Sequence, residues 1–285
     1  MSNRRALSEP RLPPELEHRI FKIAALARPI GVPTLMLVAR RIKIWVEPIL
    51  YRVVFLKDSA ADYTDVLHYR GLPTFTPDAL KKRSQQSFGH VRHLFIDDDL
   101  VGETALTSWL LACTGATNLY AWLICTPGIL DSISGFMNIQ YLTIDVRALC
   151  DTTVPLPLFL TVTHLELLDF TNESDNVDCV CRNLSLIPRL THVALNWRLD
   201  SALSHATLCA NPQLQCIVFL SPMAPLDGSP LLDDDRFACI NPRVHFYPDW
   251  LNGAVFGQDF WYFADAFLAA RRAGTIDRTY PRPLK

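Results

Sequence analysis

From residue 91 onward one short pattern keeps returning: an apolar residue, two others, an apolar residue, one other, an apolar residue. It occurs at Val91/Leu94/Ile96, Leu119/Trp122/Ile124, Ile139/Leu142/Ile144, Val162/Leu165/Leu167, Leu190/Val193/Leu195 and Leu214/Ile217/Phe219. The first positions are 28, 20, 23, 28 and 24 residues apart. Alternating apolar residues over so short a run predict a strand, and the spacing leaves room for a helical or irregular return after each one. A unit of that size cannot bury its own apolar face, so the strands must stack into a common core.

The spacing is similar to that of leucine-rich repeats. The resemblance implies an irregular solenoid over residues 91–247, with one strand and one return per unit. The Asn expected just after the strand is missing from most units, so the backbone groups it would satisfy must be met in another way. An α/β domain with several parallel strands would give similar spacing. Side chains alternate along a strand. The outward column of a solenoid would then be His93/Phe95/Asp97, Ala121/Leu123/Cys125, Tyr141/Thr143/Asp145, His164/Glu166/Leu168, His192/Ala194/Asn196 and Cys216/Val218/Leu220. Anchors within a polar surround suit a protein partner, which makes Phe95, Tyr141, His164, Glu166, His192 and Asn196 the candidate target-binding residues. His164 and His192 share a column, each after a Thr, and on adjacent strands their rings would touch. A metal would need a third ligand, with Cys216 the nearest candidate. The simpler reading is two half-buried histidines, and no metal or cofactor is expected.

The N-terminal end reads differently. Leu16, Ile20, Ile23 and Ala27 form one helical stripe behind Pro13 and Pro14, which suit a helix start. Arg28-Pro29-Ile30-Gly31-Val32-Pro33 ends that helix, because a residue before proline resists helical geometry. A second stripe follows at Leu35, Val38, Ile42, Trp45 or Val46, and Ile49. So short a segment cannot hide Phe21, Trp45 and Tyr51 alone, and the surplus apolar surface asks for a partner.

Leu12-Pro13-Pro14-Glu15-Leu16, Ile20-Phe21, Leu35-Met36-Leu37-Val38-Ala39-Arg40-Arg41 and Leu50-Tyr51-Arg52 together resemble the F-box family, in a divergent form of a kind known from fungi. The usual Cys after the central Val is here Ala39, and Leu50-Tyr51 stands where a Trp is common. The resemblance implies docking to a Skp-type adaptor through Leu12, Pro13, Leu16, Ile20, Phe21, Leu37, Val38, Arg40, Arg41 and Tyr51. A helix-turn-helix is the rival reading, but a second helix beginning Thr34-Leu35-Met36-Leu37 offers nothing to read base edges.

Charge is split along the chain. Residues 11–57 carry a balance of +6 and residues 58–285 a balance of −9, within a total of −2. A basic head on an acidic body suits two partner surfaces. Met1-Ser2-Asn3-Arg4-Arg5-Ala6 has no apolar core of a secretory signal, and no uninterrupted run of about 18 apolar residues predicts a membrane span. A cytoplasmic or nuclear location is therefore expected, with the eight cysteines as reduced thiols.

Familiar catalytic motifs are absent. No two glycines stand at i, i+2, no Gly-Lys-Ser/Thr occurs, and no His-Glu pair opens a zinc helix. Cys179-x-Cys181 and His90-x-x-His93 are isolated pairs, and Asp97-Asp98-Asp99 and Asp233-Asp234-Asp235 read as solvated turns. No enzyme activity is expected.

The resulting expectation is an α/β chain in five parts. A disordered start covers 1–10, an F-box-like helical module 11–57 and a connecting segment 58–90. A leucine-rich-repeat-like solenoid covers 91–247. A C-terminal cap and tail covers 248–285, in which Asp259 caps a helix bearing Phe260, Phe263, Phe267 and Leu268 on one face and Gly274 ends it. The resemblance implies a substrate receptor of an SCF-type cullin–RING ubiquitin ligase, holding an adaptor at one end and a target protein on the repeats. The alternative is an interaction scaffold whose F-box-like end is structural.

Overall fold

The recurring apolar triplets form strands that pair side by side in chain order. The structure, a computed structural model, describes residues 12–56, 74–75, 85–96, 112–121, 133–150, 157–169, 178–196, 199, 204–221, 228–241 and 246–276. The nine strands among the described residues make one parallel sheet. They are β1 (Val53–Leu56), β2 (Thr74–Phe75), β3 (His93–Ile96), β4 (Asn118–Ala121), β5 (Tyr141–Asp145), β6 (His164–Leu168), β7 (His192–Asn196), β8 (Cys216–Leu220) and β9 (Phe237–Ile240), in the order β2-β1-β3-β4-β5-β6-β7-β8-β9.

The pairing register puts like residues in rows. Val54, Leu94, Leu119, Leu142, Leu165, Val193, Ile217 and Phe237 follow one another across the sheet. All are buried in one core against the return segments, which supply Phe88, Val91, Cys113, Ile139, Val162, Leu184, Leu190, Leu208 and Leu214 among others. The returns share no common form. They include 3-10 turns at Gln85–His90, Pro157–Leu160 and Pro230–Asp233 and short helices α4 (Arg147–Cys150), α5 (Asp178–Leu184) and α6 (His205–Ala210).

Threonines line the edge of the sheet where the strands begin. Thr117, Thr163 and Thr191 each stand just before a strand, and their hydroxyls donate to the carbonyls of Arg92, Gln140 and Thr163. Arg236 does the same at one edge, its guanidinium donating to the carbonyls of Cys209, Asn211 and Leu214.

The opposite face of the sheet overturns the solenoid expectation. An open concave face was expected there, with the last helix capping the end of the stack. Instead α7 (Phe246–Phe256) and α8 (Phe260–Arg272) lie on that face. Trp250, Leu251 and Ala254 of α7 pack on Val53, Phe55, Phe95 and Tyr120. Trp261, Ala264, Phe267 and Leu268 of α8 pack on Ala194, Cys216, Val218, Leu220, Ala238 and Ile240. The architecture is α/β: a single open parallel sheet with both faces covered, the usual state of such sheets because their strands are apolar on both sides.

Two further expectations need correction. In β4 the pairing sets Leu119 beside Leu94, so buried Ala116 takes the place expected for Leu119 and the column is Asn118 and Tyr120. Small Ala116 carried too little apolar signal to mark the register. Leu123, Cys125 and Asp97 of the expected columns lie outside the described residues. On α8 the inward face is Trp261, Ala264, Phe267, Leu268 and Arg271, while Phe263 is exposed.

The α7–α8 turn is built by close approach. Gly257 takes φ 70°, the left-handed conformation that ends α7. A Cβ on Gly253 would lie 2.5 Å from the Asp259 carboxylate, so only glycine lets Asp259 sit there. Asp259 then accepts the Tyr262 N–H at 3.0 Å as the expected helix cap, and Asp249 accepts the Phe260 N–H at 3.1 Å. Buried Arg271 ties α8 to the far edge by donating to the Phe237 carbonyl at 3.0 Å.

The N-terminal helices keep a small core of their own. These are α1 (Pro14–Ala27), α2 (Val32–Met36) and α3 (Arg40–Leu50), and Ala25, Val32, Ile42 and Val46 meet between them. Leu50 touches both this core and that of the sheet.

Candidate functional site

The apolar stripe read along α1 faces outward. Phe21 and Ala25 turn inward to the small core, while Leu12, Leu16, Ile20 and Ile23 are exposed. Residues 16, 20 and 23 recur once per turn and so share one face of the helix. Beyond α2, Leu37 and Val38 are 85% and 61% exposed. No interior contact explains this surface, because the α1–α3 core is already filled by Val32, Ile42 and Val46.

The candidate adaptor residues therefore divide. Leu12, Pro13, Leu16, Ile20, Leu37, Val38, Arg40 and Arg41 lie at the surface, and Phe21 is half-buried. Tyr51 is a correction: it is sealed into the core of the sheet and offers nothing to a partner. Arg41 is engaged within the module, 2.8 Å from Glu17, which holds its guanidinium pKa above the ordinary value. Lys43 sits 4.0 Å from Glu47. Ile30 and Ile44 are also exposed, and Ile44 is 62% accessible. Sequence reading passed over Ile44 because it lies between two positions of the inward stripe of α3.

The candidate target-binding residues do not form an open face. Phe95, Glu166 and Asn196 are buried, Tyr141 is half-buried, and His164 and His192 are partly covered. The reason is the α7–α8 layer, whose aromatic residues were read as a terminal cap. Phe95 stacks between Phe55 and Tyr120 at 4.9 and 4.7 Å, with Trp250 edge-on to all three rings.

Under the two helices runs a seam of polar groups on β5 to β7. Glu166 Oε2 accepts the Thr143 hydroxyl at 2.7 Å, and Oε1 has no hydrogen-bond partner among the described residues. Burial pushes the Glu166 carboxyl up to about 8 against the smaller opposing effect of Thr143, and Asp249 and Asp259 add to the rise. Asp249 rises to about 6, from burial and the neighbouring Asp259. Burial also raises Asp259, and it raises Tyr141 with help from Asp259 and Asp265. Tyr141, His164 and His192 stack in a column, at 4.3 and 4.0 Å between rings. His164 is pushed down to about 3 by burial and by His192. Cys216, the sequence candidate for a third ligand, is buried, which pushes its thiol up to about 12. Asp265 stands beside the histidines instead, 3.1 Å from His192.

No family model and no curated protein sequence matches the chain. Among the described residues, no helix is long and apolar enough to cross a membrane.

Proposed function

We propose that this chain is the substrate-recognition subunit of an SCF-type cullin–RING ubiquitin ligase, docking a Skp-type adaptor through its N-terminal helices. One observation carries the reading. The positions that the F-box resemblance assigns to the adaptor, Leu12, Leu16, Ile20, Leu37 and Val38, are apolar and exposed although the module has a filled core. Covering such side chains with a partner releases roughly 25 cal/mol per Å² of apolar surface. Exposed Arg40 adds steering toward an acidic surface. The protein performs no bond chemistry in this account. It raises the concentration of a target near the ligase.

The scaffold alternative has its own support. Tyr51 and Leu50 join the helical module to the sheet core, as a purely structural end would require. Co-purification with a Skp-type adaptor separates the two. The receptor reading expects wild-type capture that is lost when Pro13→Ala and Leu16→Asp are combined. Absence of capture by the wild-type chain leaves the scaffold.

A further inference from the structure

Where α8 lies against β6 and β7, three donor-bearing side chains converge. His164 of β6 and His192 of β7 are register partners, with rings stacked 4.0 Å apart and 17° between planes. Asp265 of α8 brings its Oδ1 to 3.1 Å from His192 Nε2. One ligand atom from each of the three lies within 4.8 Å of the other two. We propose that His164, His192 and Asp265 form a binding site for a divalent transition-metal ion, with zinc as the probe.

The donor set suits the ion. Two imidazole nitrogens and one carboxylate oxygen are ordinary ligands of zinc and its neighbours, and three protein ligands leave a fourth position to water. The imidazoles are held from behind. The Thr163 hydroxyl lies 2.9 Å from His164 Nδ1, and the Thr191 hydroxyl lies 2.7 Å from His192 Nδ1. Fixing the Nδ1 edge of each ring leaves the Nε2 edge for an ion, the arrangement of outer partners that orients metal-binding histidines. Tyr141 stacks on the far side of His164, and Trp261 sets its edge against both rings at 5.2 and 5.9 Å.

Charge and access point the same way. Asp249 and Asp259 stand close to the seam, and no Lys or Arg pairs with either of them, with Asp265 or with Glu166 among the described residues. The Asp265 side chain is 56% exposed and opens the site to solvent. Tetrahedral zinc sets its ligand atoms about 3.3 Å apart. Binding an ion at that spacing requires the exposed carboxylate to rotate and the His164 ring to tilt from its stack on His192.

The test is uptake by the full chain after chelator treatment, with thiols kept reduced. Calorimetry with Zn²⁺ and visible absorption with Co²⁺ are compared for wild type, His164→Ala, His192→Ala and Asp265→Asn. The wild type is expected to take up one more ion than each variant, or to bind that ion at least about tenfold more tightly. Subtracting the variants removes any uptake by the cysteines. The exposed Asp265→Asn change tests the proposal even where a histidine variant misfolds, with circular dichroism confirming its fold. No uptake by the wild type, or uptake by Asp265→Asn equal to the wild type in both stoichiometry and affinity, overturns the proposal. In that case the His192–Asp265 contact serves only to pin α8 to the sheet.

Discussion

Trp250 Nε1 donates a hydrogen bond to Asn118 Oδ1 at 2.9 Å, across 132 residues of sequence. Both side chains are buried. The bond fixes α7 over β4, and with it the layer that closes the second face of the sheet.

Replacing Trp250 with Phe keeps most of the packing but strands the Asn118 oxygen without its donor. A buried acceptor left unsatisfied costs about 1–3 kcal/mol. Urea unfolding of Trp250→Phe should show a loss of that size, and an unchanged midpoint would mean that α7 is not tied to β4 in this way.

Asp249 gives a pH signature. Burial raises its folded pKa from 3.8 to about 6, so its contribution to stability is fully present below pH 3.8 and is lost as pH rises through 6. His93 and His164, both pushed down to about 3 mainly by burial, act in the opposite sense and lose stability as pH falls below 6.5. Asp249→Asn still accepts the Phe260 N–H but cannot ionise. The difference in unfolding free energy between the variant and wild type should therefore grow from pH 3.8 to 6 in favour of Asn, by on the order of 3 kcal/mol. A difference that does not change with pH would contradict the burial of this carboxyl.

Tyr51 and Leu16 should separate stability from binding. Tyr51 is 4% exposed within the sheet core, and Tyr51→Ala should destabilise by about 3–5 kcal/mol, as for other large buried rings. Leu16 is 49% exposed, and Leu16→Asp should change stability by less than about 0.5 kcal/mol. Thermal unfolding of the two variants checks both values.

What could be read from the sequence followed from period and size. The Leu94, Leu142, Leu165, Val193 and Ile217 strands were legible because each is a large apolar residue at fixed spacing, and the structure pairs them in one row. The register of β4 was not, since Ala116 holds a core position with a side chain too small to mark it. The layering was not legible either. Phe260, Phe263 and Phe267 announce a helix, but nothing local says whether it covers the end of a stack or its face. That choice is made by partners far away in sequence, such as Asn118 for Trp250 and His192 for Asp265. The α1 stripe was legible as surplus apolar surface, and Leu16 and Ile20 are indeed exposed; the inward turn of Tyr51 was not, because its place in the sheet core depends on strands that follow it in the chain.

The central claim is that partner contact falls on the N-terminal helices and not on the sheet face. Hydrogen–deuterium exchange of the full chain with and without a Skp-type adaptor measures this directly. The account predicts new protection over residues 12–23 and 35–41, with β5 to β7 unchanged. Protection confined to β5–β7, or none anywhere at saturating adaptor, would contradict it.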